Sequence, residues 1–172
     1  PVIPPRENIL TADFCKISNL EKILDKLKFD VVVNCVGVIK QLPEINNIEN
    51  TLFINSVFPK QLGYLSNNLN FKLIHFSTDC VFSGKVGNYD ENDIPDATDI
   101  YGISKFLGED IKYNSITLRT SIVGHEKYSA HSLLDWFISN DEKHIKGYKN
   151  AYFSGLTTLE ISKFLSANLD LL

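Results

Sequence analysis

Phe71-Lys72-Leu73-Ile74-His75-Phe76-Ser77-Thr78-Asp79, followed downstream by Tyr101-Gly102-Ile103-Ser104-Lys105, is the part of the sequence on which the fold turns. The first segment is a short apolar run ending in hydroxyls, which predicts a buried strand. The second opens a helix on which Ile100, Ile103, Leu107 and Ile111 are expected to face the core. Between them, residues 83–98 are polar and turn-rich, with Gly84, Gly87 and Pro95. Tyr101 and Lys105, four residues apart, share a helix face one turn from each other. An ammonium beside a phenol favours the phenolate. The spacing therefore predicts a Tyr101 pKa below the ordinary value of about 10, within range of proton transfer near neutral pH.

Upstream, Asp30-Val31-Val32-Val33-Asn34-Cys35-Val36 is almost wholly apolar and rich in β-branched residues, as expected of a strand buried on both faces of a parallel sheet. Asn8-Ile9-Leu10 is a shorter strand candidate. Ser18-Asn19-Leu20-Glu21 fits a capping box ahead of the stripe Leu20, Ile23, Leu24 and Leu27. Ile54, Phe58, Leu62 and Leu65 predict a second helix, and Ser115-Ile116-Thr117-Leu118-Arg119 another buried strand. The resulting β-α-β-α-β-α-β order predicts an α/β fold: a doubly wound parallel sheet, Rossmann-like, in three layers. After Arg119 the character changes. Leu133, Leu134, Trp136, Phe137 and Ile138 suggest a helix apolar on more than one face, and residues 147–155 are aromatic and turn-rich. Thr157-Thr158-Leu159-Glu160 offers a further capping box before Ile161, Phe164 and Leu165.

At 172 residues and 44% hydrophobic, the chain has enough apolar material for one sizeable core. A net charge of −4 leaves no basic surface for phosphate contacts and argues against nucleic acid as a partner. Cys15, Cys35 and Cys80 are odd in number and unevenly spaced, so they are expected to be small buried hydrophobes in a reducing compartment, with no metal site. No run approaches the ~20 apolar residues of a membrane span, and no secretory leader opens the chain. A cytoplasmic protein without membrane contact is the expectation.

The segments Ser77-Thr78-Asp79-Cys80-Val81-Phe82, Tyr89-Asp90-Glu91-Asn92-Asp93-Ile94-Pro95, Tyr101 to Lys105 and Gly108-Glu109 together resemble the extended short-chain dehydrogenase/reductases, in particular reductases of dTDP-4-dehydrorhamnose type. Cys80 departs from the tyrosine usual there. No methionine occurs at any position, and no Gly-x-Gly-x-x-Gly or Gly-x-x-Gly-x-x-Gly loop is present. Pro1-Val2-Ile3-Pro4-Pro5 looks like a connector. The resemblance thus implies a piece of a longer chain: residues 1–124 a partial NAD(P)-binding domain without its first βαβ portion, and residues 125–172 a partial substrate-binding region.

The resemblance implies NAD(P)H as cofactor and a nucleotide sugar as substrate, with homodimerisation through the helices around Asn55 and Tyr101. Tyr101 would be the general acid. Thr78 would polarise the substrate carbonyl, with Ser77 as a possible substitute, and Lys105 would serve both the tyrosine and the nicotinamide ribose. Asn34 and Gly37 would lie along the cofactor ribose. Asp13 would accept from the adenine amino group, or would be an ordinary capping aspartate. Asn55 has two readings: a backbone freed by Pro59 to hold a relay water, or a helix cap with Pro59 in the first turn. Asp79, Arg119, Ser121 and His125 would line the substrate cleft. An epimerase or dehydratase with the same Tyr/Lys pair, and a non-catalytic cofactor-binding regulatory subunit, are the competing readings.

Overall fold

The computed structural model describes residues 9–126, 132–141 and 143–169. The chain divides into two compact units, one reaching to Arg119 and one starting at Thr120.

In the first unit, α1 (Ile17–Leu27) begins one residue before Ser18, so the expected capping box is not formed: Lys16 is the N-cap and its side chain caps nothing. The entry is held by Asp13, whose Oδ1 accepts from the Cys15 N–H at 3.1 Å and whose carbonyl accepts from that of Lys16 at 3.2 Å. Burial explains the shift, because Ile17 packs on the core together with Leu20 and Leu24. Leu27, expected on the same stripe, is left 42% exposed.

Strand β1 (Val31–Asn34) is followed by a 3-10 turn and then a long helical segment, residues 48–69. The segment consists of α2 (Ile48–Leu52), a π-helical turn (Phe53–Val57) and α3 (Phe58–Leu69). Strand β2 (Lys72–Phe76), helix α4 (Ile100–Leu107) and strand β3 (Ser115–Leu118) complete the unit. The sheet is parallel in the order β1-β2-β3, with Val32 opposite Leu73 and Leu73 opposite Ser115. Ile9 and Leu10 are in no strand, and Asn8 lies outside the described residues. The described order is therefore α-β-α-β-α-β.

Among the described residues only β2 has a strand on both sides, and its centre is fully buried (Leu73, Ile74 and His75). Val33 of β1 is 43% exposed, which corrects the expectation of a strand buried on both faces: β1 is a sheet edge among the described residues. The core lies on the face carrying Val32 and Leu73, where Leu24, Phe58, Leu62, Leu65 and Phe71 meet. Full burial of each such side chain contributes roughly 1.5–3 kcal/mol. The same face carries a polar row across the sheet, Asn34, His75 and Thr117, set side by side by the register.

His75 has no exposed surface. The Asn34 Oδ1 accepts from the Val36 N–H, so its Nδ2 donates to His75 Nδ1 at 3.0 Å. That places the ring proton on Nε2, which is buried without a partner. Burial, reinforced by the nearby Lys105 ammonium, pushes the His75 pKa down to about 3. Unfolded His75 takes a proton near pH 6.5, whereas folded His75 resists until about 3. Stability is thus expected to fall by roughly 1.4 kcal/mol per pH unit across that window from this group. Melting temperatures between pH 7 and 4 should drop less steeply in His75→Gln, which keeps an acceptor for Asn34 but does not titrate. Equal slopes in the two proteins would show that His75 does not drive the acid sensitivity.

In the second unit, β4 (Ile122–Val123) pairs in parallel with β5 (Leu156–Thr157). Helix α5 (Leu133–Ile138) is capped by Ser132 and has no buried residue. Helix α6 (Thr158–Asn168) is capped by Thr157, which accepts from the Glu160 N–H at 3.1 Å, as expected. The Glu160 carboxylate turns instead to Lys163 at 2.8 Å. Ile161 is buried while Phe164 stays 52% exposed.

Candidate active site

Helix α4 buries the opposite of its expected face. Ile103 and Leu107 are 38% and 45% exposed, whereas Gly102, Ser104 and Lys105 are buried. The reason is the close packing of α4 on the π-helical turn and on the chain after β2. A Cβ on Gly102 would stand 2.4 Å from the Cys80 carbonyl oxygen, and one on Gly108 would stand 2.1 Å from that of Asn55. Only glycine admits such an approach. The polar motif face of α4 is therefore pressed against the carboxyl ends of the strands, where open α/β sheets bind ligands.

Three consecutive residues at the end of β2 meet successive turns of this helix and the residues just after it. Phe76 offers its carbonyl to Lys105 Nζ at 2.6 Å. The Ser77 Oγ donates to Glu109 Oε1 at 2.5 Å. The Thr78 side chain lies beside the Tyr101 phenol, where its hydroxyl favours the ionised form. Ser77 is thus engaged elsewhere, and Thr78 is the hydroxyl that faces the phenol. Thr78 also caps the short turn Asp79–Val81, accepting from the Cys80 N–H at 3.1 Å, and donates to Asp79 Oδ1 at 3.3 Å.

The Tyr101 pKa is raised, not lowered as the spacing predicted. Burial is the main cause, with Cys80, Asp79 and Asp99 adding to it and the Thr78 hydroxyl opposing. Lys105 does not act as expected because its ammonium is turned to the Phe76 carbonyl. Burial pushes Lys105 itself down to about 8, with Glu109 and Cys35 holding it up. The phenol is therefore protonated at neutral pH, the state a proton donor requires.

Asn55 is fully buried and brackets the loop after β1: its Oδ1 accepts from the Val38 N–H at 2.9 Å and its Nδ2 donates to the Val38 carbonyl at 3.0 Å. The same Nδ2 reaches Ser104 Oγ at 3.0 Å. The helix-cap reading of Asn55 fails, since Asn47 caps the helix and Asn55 lies inside the π-helical turn, although Pro59 does sit in the first turn of α3. Such turns arise where the ordinary ladder is interrupted, and Pro59 supplies no N–H to it. A Cβ built on Gly37 would lie 3.4 Å from Asn55 Oδ1 and 3.7 Å from Lys105 Nζ, so Gly37, Asn55 and Lys105 converge.

The other expected residues are placed as follows. Asn34 spends its side chain on His75 and the Val36 N–H. Asp13 is an exposed turn residue at the entry to α1. Arg119 forks onto Glu109, with Nη2 to Oε2 at 2.8 Å, and lies 5.1 Å over the Phe82 ring. Its Nη1 is buried without a partner. Ser121 and His125 belong to the second unit, where the His125 Nδ1 pairs with Asp135 at 2.8 Å. The cysteines are free but not buried: Cys15 and Cys35 are exposed and Cys80 half-buried. No group of three or more potential metal ligands occurs among the described residues, nor does any helix there have the length and apolarity to cross a membrane. Glu109 and Ser104 are structural members of the site to which sequence reading assigned no role. Their one local signal is position, next to Lys105 and one turn after it.

Comparison with known proteins gives this arrangement its context. A probable low-salt glycan biosynthesis reductase, Agl14, of Haloferax volcanii is 31% identical over 116 residues, covering 64% of this chain and 39% of the relative. A dTDP-4-dehydrorhamnose reductase of Aggregatibacter actinomycetemcomitans is 30% identical over 126 residues, covering 67% and 43%. This chain therefore spans about two-fifths of the length of the curated relatives it matches. Among solved structures, a hypothetical dTDP-4-dehydrorhamnose reductase from Sulfolobus tokodaii superposes with a TM-score of 0.85 at 24% identity, over 97% of this chain and 61% of that one. The Bordetella bronchiseptica enzyme WbmG, in complex with NAD and UDP, gives 0.81 at 16% identity, over 96% and 55%. At such identities the likeness establishes the fold: α/β with a parallel sheet, Rossmann-like. The family model described as the RmlD substrate binding domain matches residues 2–137, and with the strand-end and helix geometry above it shows that the chain belongs to that family.

Proposed function

We propose that the protein to which this chain contributes its site is an NAD(P)-dependent reductase of a keto-sugar nucleotide, similar to dTDP-4-dehydrorhamnose reductase, in surface-polysaccharide or deoxysugar biosynthesis. The observation that carries the reading is the pairing of Thr78 with Tyr101 at the end of β2, with Lys105 one turn along α4. The residues fit a nicotinamide nucleotide. Gly37 leaves open the space beside Asn55 and Lys105, and the Lys105 ammonium has three N–H donors, one of which is used by Phe76. Lys105, Gly37, Asn55 and Asn34 would hold its ribose side, and Asp13 its adenine. When bound, the cofactor supplies a hydride to the carbonyl carbon.

The chain's own part is proton chemistry and placement. Thr78 donates a hydrogen bond to the carbonyl oxygen, and Tyr101 delivers its proton to the same oxygen as negative charge develops there. Lys105, held by the Phe76 carbonyl, would serve the cofactor ribose and not the phenol. Asp79, Arg119, Ser121 and His125 would contact the nucleotide sugar. Residues 1–124 form part of the cofactor domain and residues 125–172 part of the substrate region. The protein is cytoplasmic and homodimeric in this reading. Dimerisation is supported by the apolar surface left on the π-helical turn, α3 and α4: Val57, Tyr64, Ile103, Phe106 and Leu107 are 38–55% exposed.

The test is loss of NAD(P)H absorbance with a 4-keto-6-deoxy nucleotide sugar, using the whole protein. Turnover is expected. Binding of NAD(P)H without reduction of any keto-sugar nucleotide would favour a regulatory subunit, and net epimerisation or dehydration would favour the third reading.

A further inference from the structure

Lys40, in the loop after β1, belongs to no motif, yet it reaches across 59 residues of sequence to Asp99. Its Nζ lies 3.0 Å from Asp99 Oδ2, and the ammonium stands 5.5 Å from the centre of the Tyr101 ring. Asp99 is fully committed by this arrangement. Its Oδ1 caps α4 by accepting from the Gly102 N–H at 3.0 Å, while Oδ2 holds the lysine. The carboxylate thus fixes the start of the helix that carries Tyr101 and, from the same atom group, the cation above the ring. Lys105, by contrast, donates a hydrogen bond to the Phe76 carbonyl. Two ammonium groups belong to this region, and Lys40 is the one lying over the phenol.

We propose that Lys40 is a positioning residue for Tyr101: anchored by Asp99, its ammonium holds the ring in place and favours loss of the phenolic proton. A cation over an aromatic face is attracted to it, and the attraction strengthens when the ring becomes a phenolate. The groups acting on the phenol are then accounted for from each packed element. Asp79, Cys80 and Thr78 come from the segment after β2, Asp99 from the cap of α4, and Lys40 from the loop after β1. Burial, Cys80 and the two carboxylates hold the proton on, the Thr78 hydroxyl works against them, and Lys40, 5.5 Å from the ring centre, is the cation placed to do the same. The result is a phenol that keeps its proton at rest but releases it to an alkoxide more readily than burial alone would allow.

The catalytic meaning of this rests on the reductase reading, but its test needs no substrate. The chain is prepared with 13Cζ-labelled tyrosine, the Tyr101 signal is assigned with Tyr101→Phe, and its chemical shift is followed against pH. Lys40→Met is expected to raise the Tyr101 pKa by about half a unit to one unit, the worth of a partly exposed cation on a ring. Lys40→Arg, which keeps charge and the bond to Asp99, should restore the parent titration. The other six of the seven tyrosines serve as a check on the fold. If Lys40→Met disturbed them, Lys40→Gln, which keeps a donor for Asp99 and drops the charge, replaces it. An unchanged Tyr101 titration in the charge-free variant overturns the proposal, as does a shift that Lys40→Arg fails to reverse. The expected titrations in a protein that reduced no keto sugar would leave Lys40 in this role and remove the reductase reading instead.

Discussion

Tyr101→Phe is expected to lower kcat by about 10²–10⁴-fold in the whole protein while leaving NAD(P)H affinity close to that of the parent. The change removes one oxygen from a half-buried ring whose packing survives. Thr78 loses the neighbouring hydroxyl but keeps its bonds to Cys80 and Asp79. Lys105, the group expected at the cofactor ribose, is held by the Phe76 carbonyl and does not depend on the phenol. The proton donor alone is lost, which corresponds to roughly 3–5 kcal/mol of barrier. Steady-state rates and a fluorescence titration with NAD(P)H separate the two quantities. Undiminished turnover would show that the proton comes from elsewhere. An equal loss of cofactor affinity would show that the substitution disturbed the fold around Lys105.

Glu109→Ala should cost stability more than any exposed substitution, about 3–5 kcal/mol, as expected when one partner of a buried ion pair is removed. The Glu109 side chain is 8% exposed and that of Arg119 23% exposed, so the guanidinium would be left desolvated without a counter-charge. Ser77 would lose its acceptor as well. Two strand ends would be loosened at once, because the Ser77 N–H also bonds the Leu118 carbonyl at 2.8 Å, joining β2 to β3 beside Thr78. Urea denaturation measures the loss. The double variant Glu109→Leu with Arg119→Met, which removes both charges, should recover a large part of it. If the double variant were no more stable than Glu109→Ala, the unpaired guanidinium would not be the cause.

The approach of α4 to its neighbours was the feature least visible in the sequence. Apolar periodicity placed Ile103 and Leu107 inward, yet they are exposed, and Gly102, Ser104 and Lys105 are inside. Periodicity assumes that a helix buries its greasiest face. Here glycines at positions 102 and 108 allow a polar face to pack at backbone distance, and its polar groups are satisfied across the contact by Asn55, Ser56 and Phe76. Helix α1 starts earlier than its capping box for a related reason: packing of Ile17 on the core outweighs the cap that Ser18-Asn19-Leu20-Glu21 offers.

The sequence by itself determined the parallel α/β character, the strand–loop–helix order and the nearness of Thr78 to Tyr101. The first two follow from local periodicity, and the third from the family resemblance carried by the strand-end hydroxyls and the Tyr/Lys helix, since a turn-rich loop separates Thr78 from Tyr101. Only the tertiary structure decided the direction of the Tyr101 pKa, the engagement of Ser77 by Glu109, the inside position of Asn55 and the reach of Lys40 to Asp99. Each depends on how deeply a group is buried and which distant atom meets it, and both are properties of packing between elements far apart in the chain.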